Sequence, residues 1–119
     1  MARIKEGTIC HIELPAPDIK KACRFYEKCF GWKTGSAMGP GYVMFTHDGG
    51  GGAFDASLKP AKGGPILIIE ADNIDAKLKQ ITKAGGAVVK EKTEIGGGHG
   101  WYAYFTDPCG NKLGVHQSS

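Results

Sequence analysis

Two stretches decide the fold: Asp18-Ile-Lys-Lys-Ala-Cys-Arg-Phe-Tyr-Glu-Lys-Cys-Phe-Gly31 and Asn73-Ile-Asp-Ala-Lys-Leu-Lys-Gln-Ile-Thr-Lys-Ala-Gly-Gly86. Each reads as one amphipathic helix. Asp18 opens the first and Asn73 or Asp72 the second, since a short polar side chain accepts from the orphan amides of a first turn. Ile19, Ala22, Cys23, Tyr26 and Phe30 recur at three- and four-residue spacing in the first, and Ile74, Leu78 and Ile81 in the second. Gly31 and Gly85-Gly86 close them, because glycine takes the positive φ that ends a helix without steric cost.

Outward from these helices the pattern changes to the period of two that marks strands. Strands are expected at 8–14, 32–37, 41–46 and 53–58 around the first helix, and at 66–71, 87–93, 101–106 and 112–116 around the second. The Pro/Lys/Gly stretch 59–64 separates the halves. At an offset of 55 Asp18 meets Asn73, Cys23 meets Leu78, Tyr26 meets Ile81 and Gly31 meets Gly86. At an offset of 60 Tyr42 meets Tyr102 and Phe45 meets Phe105. The expected architecture is α+β: one domain over residues 1–119, built as two tandem β-α-β-β-β modules at about 7–58 and 64–117.

Composition narrows the function classes. With 119 residues the chain buries about two thirds of its extended surface, enough for a core without metal or disulfides. Lys and Arg total 15 against 12 Asp and Glu, a net charge of +3. The lysines are scattered and the arginines are Arg3 and Arg24, so no basic stripe for nucleic acid is present. No apolar run reaches the length of a membrane span, and the N-terminus lacks the apolar core of a signal peptide, which makes the cytoplasm the expected location. Cys10, Cys23, Cys29 and Cys109 form no Cys-x-x-Cys pair and are expected as small buried hydrophobes.

Alternation assigns faces. Cys10, Ile12 and Leu14, with Leu67, Ile69, Leu113 and Val115, should meet the helices. His11, Glu13, Ile66, Ile68, Glu70, Lys112, Gly114 and His116 should face the other way and line a cleft enclosed by two curved sheets. Tyr102 and Tyr104 alternate with Trp101 and Phe105, so one set packs core and the other is free to line a pocket. The run 49–52 lacks the Lys-Ser/Thr of a phosphate loop and is expected as a turn. There is no Gly-x-Ser-x-Gly elbow, and Cys10 and His11 point oppositely as strand neighbours, which removes a nucleophile-base pair.

The stretches 11–18 (HIELPAPD) and 25–32 (FYEKCFGW), with Ile81-Thr-Lys-Ala-Gly-Gly86 and 104–111 (YFTDPCGN), resemble the vicinal oxygen chelate superfamily. That superfamily holds glyoxalase I, bleomycin-resistance proteins and extradiol dioxygenases. The resemblance spans the whole chain and implies paired modules shaping a cup-shaped sheet with outer helices, often in a homodimer. Fold alone assigns no chemistry, because members include both enzymes and sequestering proteins.

In metal-using members the resemblance implies ligands on the first and last strands of the modules. Carried onto this chain they fall on His11, Ile66 and Gly114, with a fourth position near Phe54 and Asp55 adjacent. Isoleucine, glycine and phenylalanine offer no donor to Zn²⁺, Ni²⁺ or Fe²⁺. The expected function is therefore a metal-independent small-molecule binding protein without cofactor. The alternative is a lyase, isomerase or dioxygenase using a divalent metal displaced onto His11, Asp55, Glu70 and His116, or acid-base chemistry through His11 and Glu70. The candidate ligand contacts are His11, Asp55, Glu70, His99, Trp101 and His116, with His99 and Trp101 on a Gly-rich lip. His11 also carries a structural alternative, as a ring hydrogen-bonded to backbone or water.

Overall fold

The computed structural model describes residues 4–6, 9–37, 39–60 and 62–119, and of Ser36 the backbone only. The first half runs β1 (Ile12–Pro15), α1 (Ile19–Phe30), β2 (Lys33–Ala37), β3 (Tyr42–His47) and β4 (Gly50–Asp55). The second repeats it as β5 (Ile68–Glu70), α2 (Ile74–Lys83), β6 (Ala87–Glu94), β7 (Trp101–Thr106) and β8 (Lys112–Gln117). Each half forms its own four-stranded sheet, ordered β1-β4-β3-β2 and β5-β8-β7-β6. Both begin on a parallel pair, β1 with β4 and β5 with β8, and continue antiparallel. This is the α+β architecture of two β-α-β-β-β modules.

The helix ends follow the capping chemistry. Asp18 Oδ1 accepts from the Lys21 amide at 3.1 Å and Asn73 Oδ1 from the Ala76 amide at 3.0 Å. Gly31 sits at φ 68° and sends its N–H back to Glu27.

Three strand boundaries differ from the expectation. β1 is shorter, starting at Ile12, and the expected start at Thr8 lies outside the described residues. β5 contracts to three residues. The glycines expected as a turn instead open β4: only Gly49 turns, at φ 89°, while Gly50, Gly51 and Gly52 pair with His47, Thr46 and Phe45. The reason is steric. A Cβ on Gly52 would stand 1.8 Å from the Ile12 carbonyl oxygen, so the pairing of Ile12 with Gly52 at the start of β1 needs a residue without a side chain.

One core joins the modules. α1 packs Tyr26 against Phe54 of β4 at 5.5 Å between ring centroids, and Phe25 against Phe105 of β7 at 6.1 Å. Phe25, Tyr26, Phe54, Phe105, Ile74 and Ile81 are all within 2% of full burial. At roughly 1.5–3 kcal/mol for each large side chain buried, this shared interior dominates the stability of both halves. The turn between β7 and β8 is stitched to the first module, where Asn111 Nδ2 donates to the Pro15 carbonyl at 2.6 Å. Of the cysteines, all free, Cys29 is buried and Cys23 and Cys109 partly so, but Cys10 is exposed ahead of β1, contrary to expectation.

Candidate functional site

Because α1 touches the core face of both sheets, their other faces point away from the shared interior. The cleft expected between these open faces is therefore not closed within one chain. Each open face is a separate candidate surface.

On the first sheet, the open face carries His11, Glu13 and Tyr42. Tyr42 Oη donates to Glu13 Oε2 at 2.7 Å and lies 2.9 Å from His11 Nε2. A phenol proton committed to the carboxylate leaves its oxygen as acceptor, so His11 donates from Nε2, and a neutral ring in that tautomer has its lone pair on Nδ1. The Glu13 carboxylate accepting this bond pushes the Tyr42 phenol up, keeping it protonated. Asp55 is drawn into a local turn: its Oδ1 accepts from the Ser57 amide at 2.9 Å and hydroxyl at 2.7 Å, which lowers its pKa.

On the second sheet, Glu70 and His116 are register partners, with Glu70 Oε1 2.7 Å from His116 Nδ1. His116 Nε2 lies 2.8 Å from the His99 carbonyl, which only accepts, so both ring nitrogens carry protons. The Glu70 carboxylate and then the His99 carbonyl hold the His116 pKa up. Glu70 is held down, by His116 and then by the Ser118 hydroxyl at 2.7 Å.

His99 itself is exposed, and the loop around it is pinned by Ile95 N–H to the Gly100 carbonyl at 2.9 Å. Trp101 sits on the core side of β7, with Lys92 over its ring at 4.9 Å. The aromatic residues on the open face are Tyr102 and Tyr104, 5.4 Å apart and edge-to-face. Lys90 stands 5.2 Å over the first ring and Lys112 4.7 Å over the second. Sequence reasoning left open which alternation set was free. It missed Tyr42, whose only signal was its position at an offset of 60 from Tyr102.

The residues present do not fit a metal of the kind the resemblance implies. Backbone pairing makes Ala53, one residue before the Phe54 expected, the counterpart of Gly114, since Glu13 pairs with Ala53 as Ile68 pairs with Gly114. Phe54 is fully buried. Over Gly114 the space is filled: an added Cβ would meet Ile68 Cδ1 at 2.6 Å and Tyr104 Cδ1 at 3.1 Å. Among the described residues no three His, Cys, Asp or Glu side chains gather as a cation site. Within one chain His11 and Asp55 lie on one open face and Glu70 and His116 on the other, with Asp55 engaged by Ser57 and Glu70 by His116. No helix among the described residues is long and apolar enough to cross a membrane.

A glyoxylase-like domain-containing protein of Didymella fabae is 28% identical over 117 residues, covering 91% of each chain. The CFP32 protein of Mycobacterium tuberculosis (strain CDC 1551 / Oshkosh) is 30% identical over 124 residues, and this chain spans 47% of its length. Among solved structures, the fosfomycin resistance protein FosX of Listeria monocytogenes superimposes with a TM-score of 0.79 at 18% identity, covering 97% of this chain and 96% of that one. A glyoxalase/bleomycin resistance protein/dioxygenase family enzyme of Burkholderia phytofirmans PsJN gives 0.77 at 18%, covering 92% and 97%. The family profile itself matches residues 8–115, from the start of the first module into β8 of the second, and includes the Tyr42 cluster. The chain belongs to the Glyoxalase/Bleomycin resistance protein/Dioxygenase superfamily.

Proposed function

We propose that this chain is a metal-independent small-molecule binding protein of the glyoxalase/bleomycin-resistance type. It acts as a homodimer in which the open face of the first sheet meets the open face of a partner's second sheet. One observation carries the reading: the strand positions that would hold an ion bear Ile66 and Gly114, and the space over Gly114 is filled by Ile68 and Tyr104. Without lone pairs there, no Lewis acid is positioned for a substrate oxygen, whereas the aromatic and hydrogen-bonding side chains suit a bound organic molecule.

Three features support the second copy. Edge strands β1 and β5 are each paired on one side only. A groove of about 630 Å³ flanks them, lined by Ile12, Phe30, Trp32, Phe45, Ile68 and Glu70. The chain also exposes 7559 Å², against roughly 6,200 Å² for a compact monomer of this mass.

The test is native mass spectrometry of freshly purified 119-residue protein. A species of twice 12.6 kDa without a stoichiometric transition metal, retaining or accepting an organic ligand, is expected. A transition metal at one per chain, held by His11 and two other side chains, overturns the reading.

The Tyr42 bridge favours a second reading, a lyase or isomerase run by acid-base chemistry. In it the free Nδ1 of His11 takes a substrate proton while Tyr42 and Glu13 fix the ring and stabilise the imidazolium. Turnover of a bound compound that disappears in His11→Gln but survives chelation would put this reading first.

A further inference from the structure

The second sheet's open face is built from an unusual combination. Tyr102 and Tyr104 lie side by side on β7, and lysines reach over them from both neighbouring strands, Lys90 from β6 and Lys112 from β8. Lys90 is there because of a bulge. Val88 pairs with Phe105, but Lys90 pairs with Tyr104, one residue along β7 instead of two. Simple alternation would have aimed Lys90 at the core with Val88; the extra residue turns it outward.

Ile68 and Gly114, in register with Tyr104 across three strands, extend the rings into an apolar floor. Among the described residues the other two charges on this face are spent on each other, since Glu70 and His116 form an ion pair that Ser118 also holds. Lys92, the remaining nearby cation, lies on the opposite side and meets Asp75 at 3.8 Å. The net charge left free above the floor is therefore that of two ammonium groups.

Resting on the binding reading, we propose that this face takes a planar organic anion, an aromatic carboxylate or its phosphonate counterpart. Its ring lies on Tyr102, Tyr104 and Ile68 while Lys90 and Lys112 close on the anionic group from either side. Cation–π contact at an exposed ring is a weak hold on an ammonium, and a charge-assisted hydrogen bond to a carboxylate is stronger, so the lysines exchange the ring for the anion. The ring faces thereby become free to stack on the ligand. On the facing wall of the dimer the carboxylates already have donors, Glu13 the Tyr42 hydroxyl and Asp55 the Ser57 hydroxyl.

The experiment is calorimetric titration of the intact protein with three probes of one shape: 2-naphthoate, 2-naphthamide and 2-naphthylmethylamine. The naphthoate binds tightest, its affinity falls as salt rises, and Lys90→Met and Lys112→Met each weaken it by roughly tenfold while leaving the amide unchanged. Lys90 is exposed and Lys112 half-buried, and an unchanged melting temperature verifies the folding of both variants. Equal affinity for all three probes, or methionine variants that bind naphthoate like the parent, overturns the anion assignment and leaves the binding reading standing. No binding by any probe also overturns the assignment. The binding reading falls with it only if native mass spectrometry finds no organic ligand retained or accepted.

Discussion

Tyr26 and Asp107, 81 positions apart, meet in the core: the phenol donates to Asp107 Oδ2 at 2.8 Å. The bond ties α1 of the first module to the turn that follows β7 in the second. Asp107 also accepts from the amides of Cys109 and Asn111, both at 2.9 Å, and from Asn111 Nδ2 at 2.9 Å. Burial pushes the carboxyl up and these donors pull it back, burial being the larger effect.

Removing the phenol leaves this buried acceptor short of one donor. Tyr26→Phe is expected to lower stability by about 1–3 kcal/mol in urea denaturation while the ring packing against Phe54 and Trp32 persists. A loss below a few tenths would show that water replaces the hydroxyl.

Glycine is required more strictly at position 52 than at 114. At Gly52 a Cβ meets backbone at 1.8 Å, the Ile12 carbonyl oxygen, whereas at Gly114 its closest neighbour is the Ile68 side-chain tip at 2.6 Å, with Tyr104 Cδ1 and the Ala103 carbonyl oxygen at 3.1 and 3.2 Å. Gly52→Ala is expected to cost more than about 3 kcal/mol and Gly114→Ala no more than about 1 kcal/mol. Equal midpoints for the two variants in urea would contradict the close approach of β1 to β4.

The Glu70–His116 contact makes the C-terminal strand pH-sensitive. A histidine whose pKa is raised by folding contributes stability that is complete below its ordinary value of 6.5 and is lost as pH rises through the raised value. Glu70, lowered from 4.5, contributes above that value and loses its part as pH falls through the depressed one. The contact is thus fully made between those limits and fails first on the alkaline side. NMR titration of the His116 ring should give a midpoint above 6.5 that moves back down in Glu70→Gln, with amide exchange in residues 96–100 rising alongside. A midpoint below 6.5 in the parent would refute the ion pair.

Tyr42 connects His11 to Glu13 on an exposed face, so its hydroxyl matters for ligand more than for fold. Tyr42→Phe should shift stability by less than about 0.5 kcal/mol, as surface changes do, yet weaken whatever ligand native mass spectrometry identifies. Unchanged affinity in both Tyr42→Phe and His11→Ala would return this trio to a structural role.

The helices, their caps and the repeat were legible because capping and the 3.6 period are local properties of the chain. Alternation also faced Glu70 and His116 the same way, and the register placed them in contact. What escaped was non-local. Whether 49–52 turned or paired depended on how near β1 came, and the orientation of Lys90 depended on a bulge that breaks the period of two. The joint cleft failed to close within one chain because alternation tells a face from its reverse but not which sheet it looks toward.

The tail of the chain does more than end β8. Gln117 Oε1 accepts from the Ile74 amide at 2.8 Å, completing the start of α2, and Ser118 holds Glu70. Residues 117 and 118 thus work as a clasp, drawing the start of α2 and the edge strand β5 onto the end of β8.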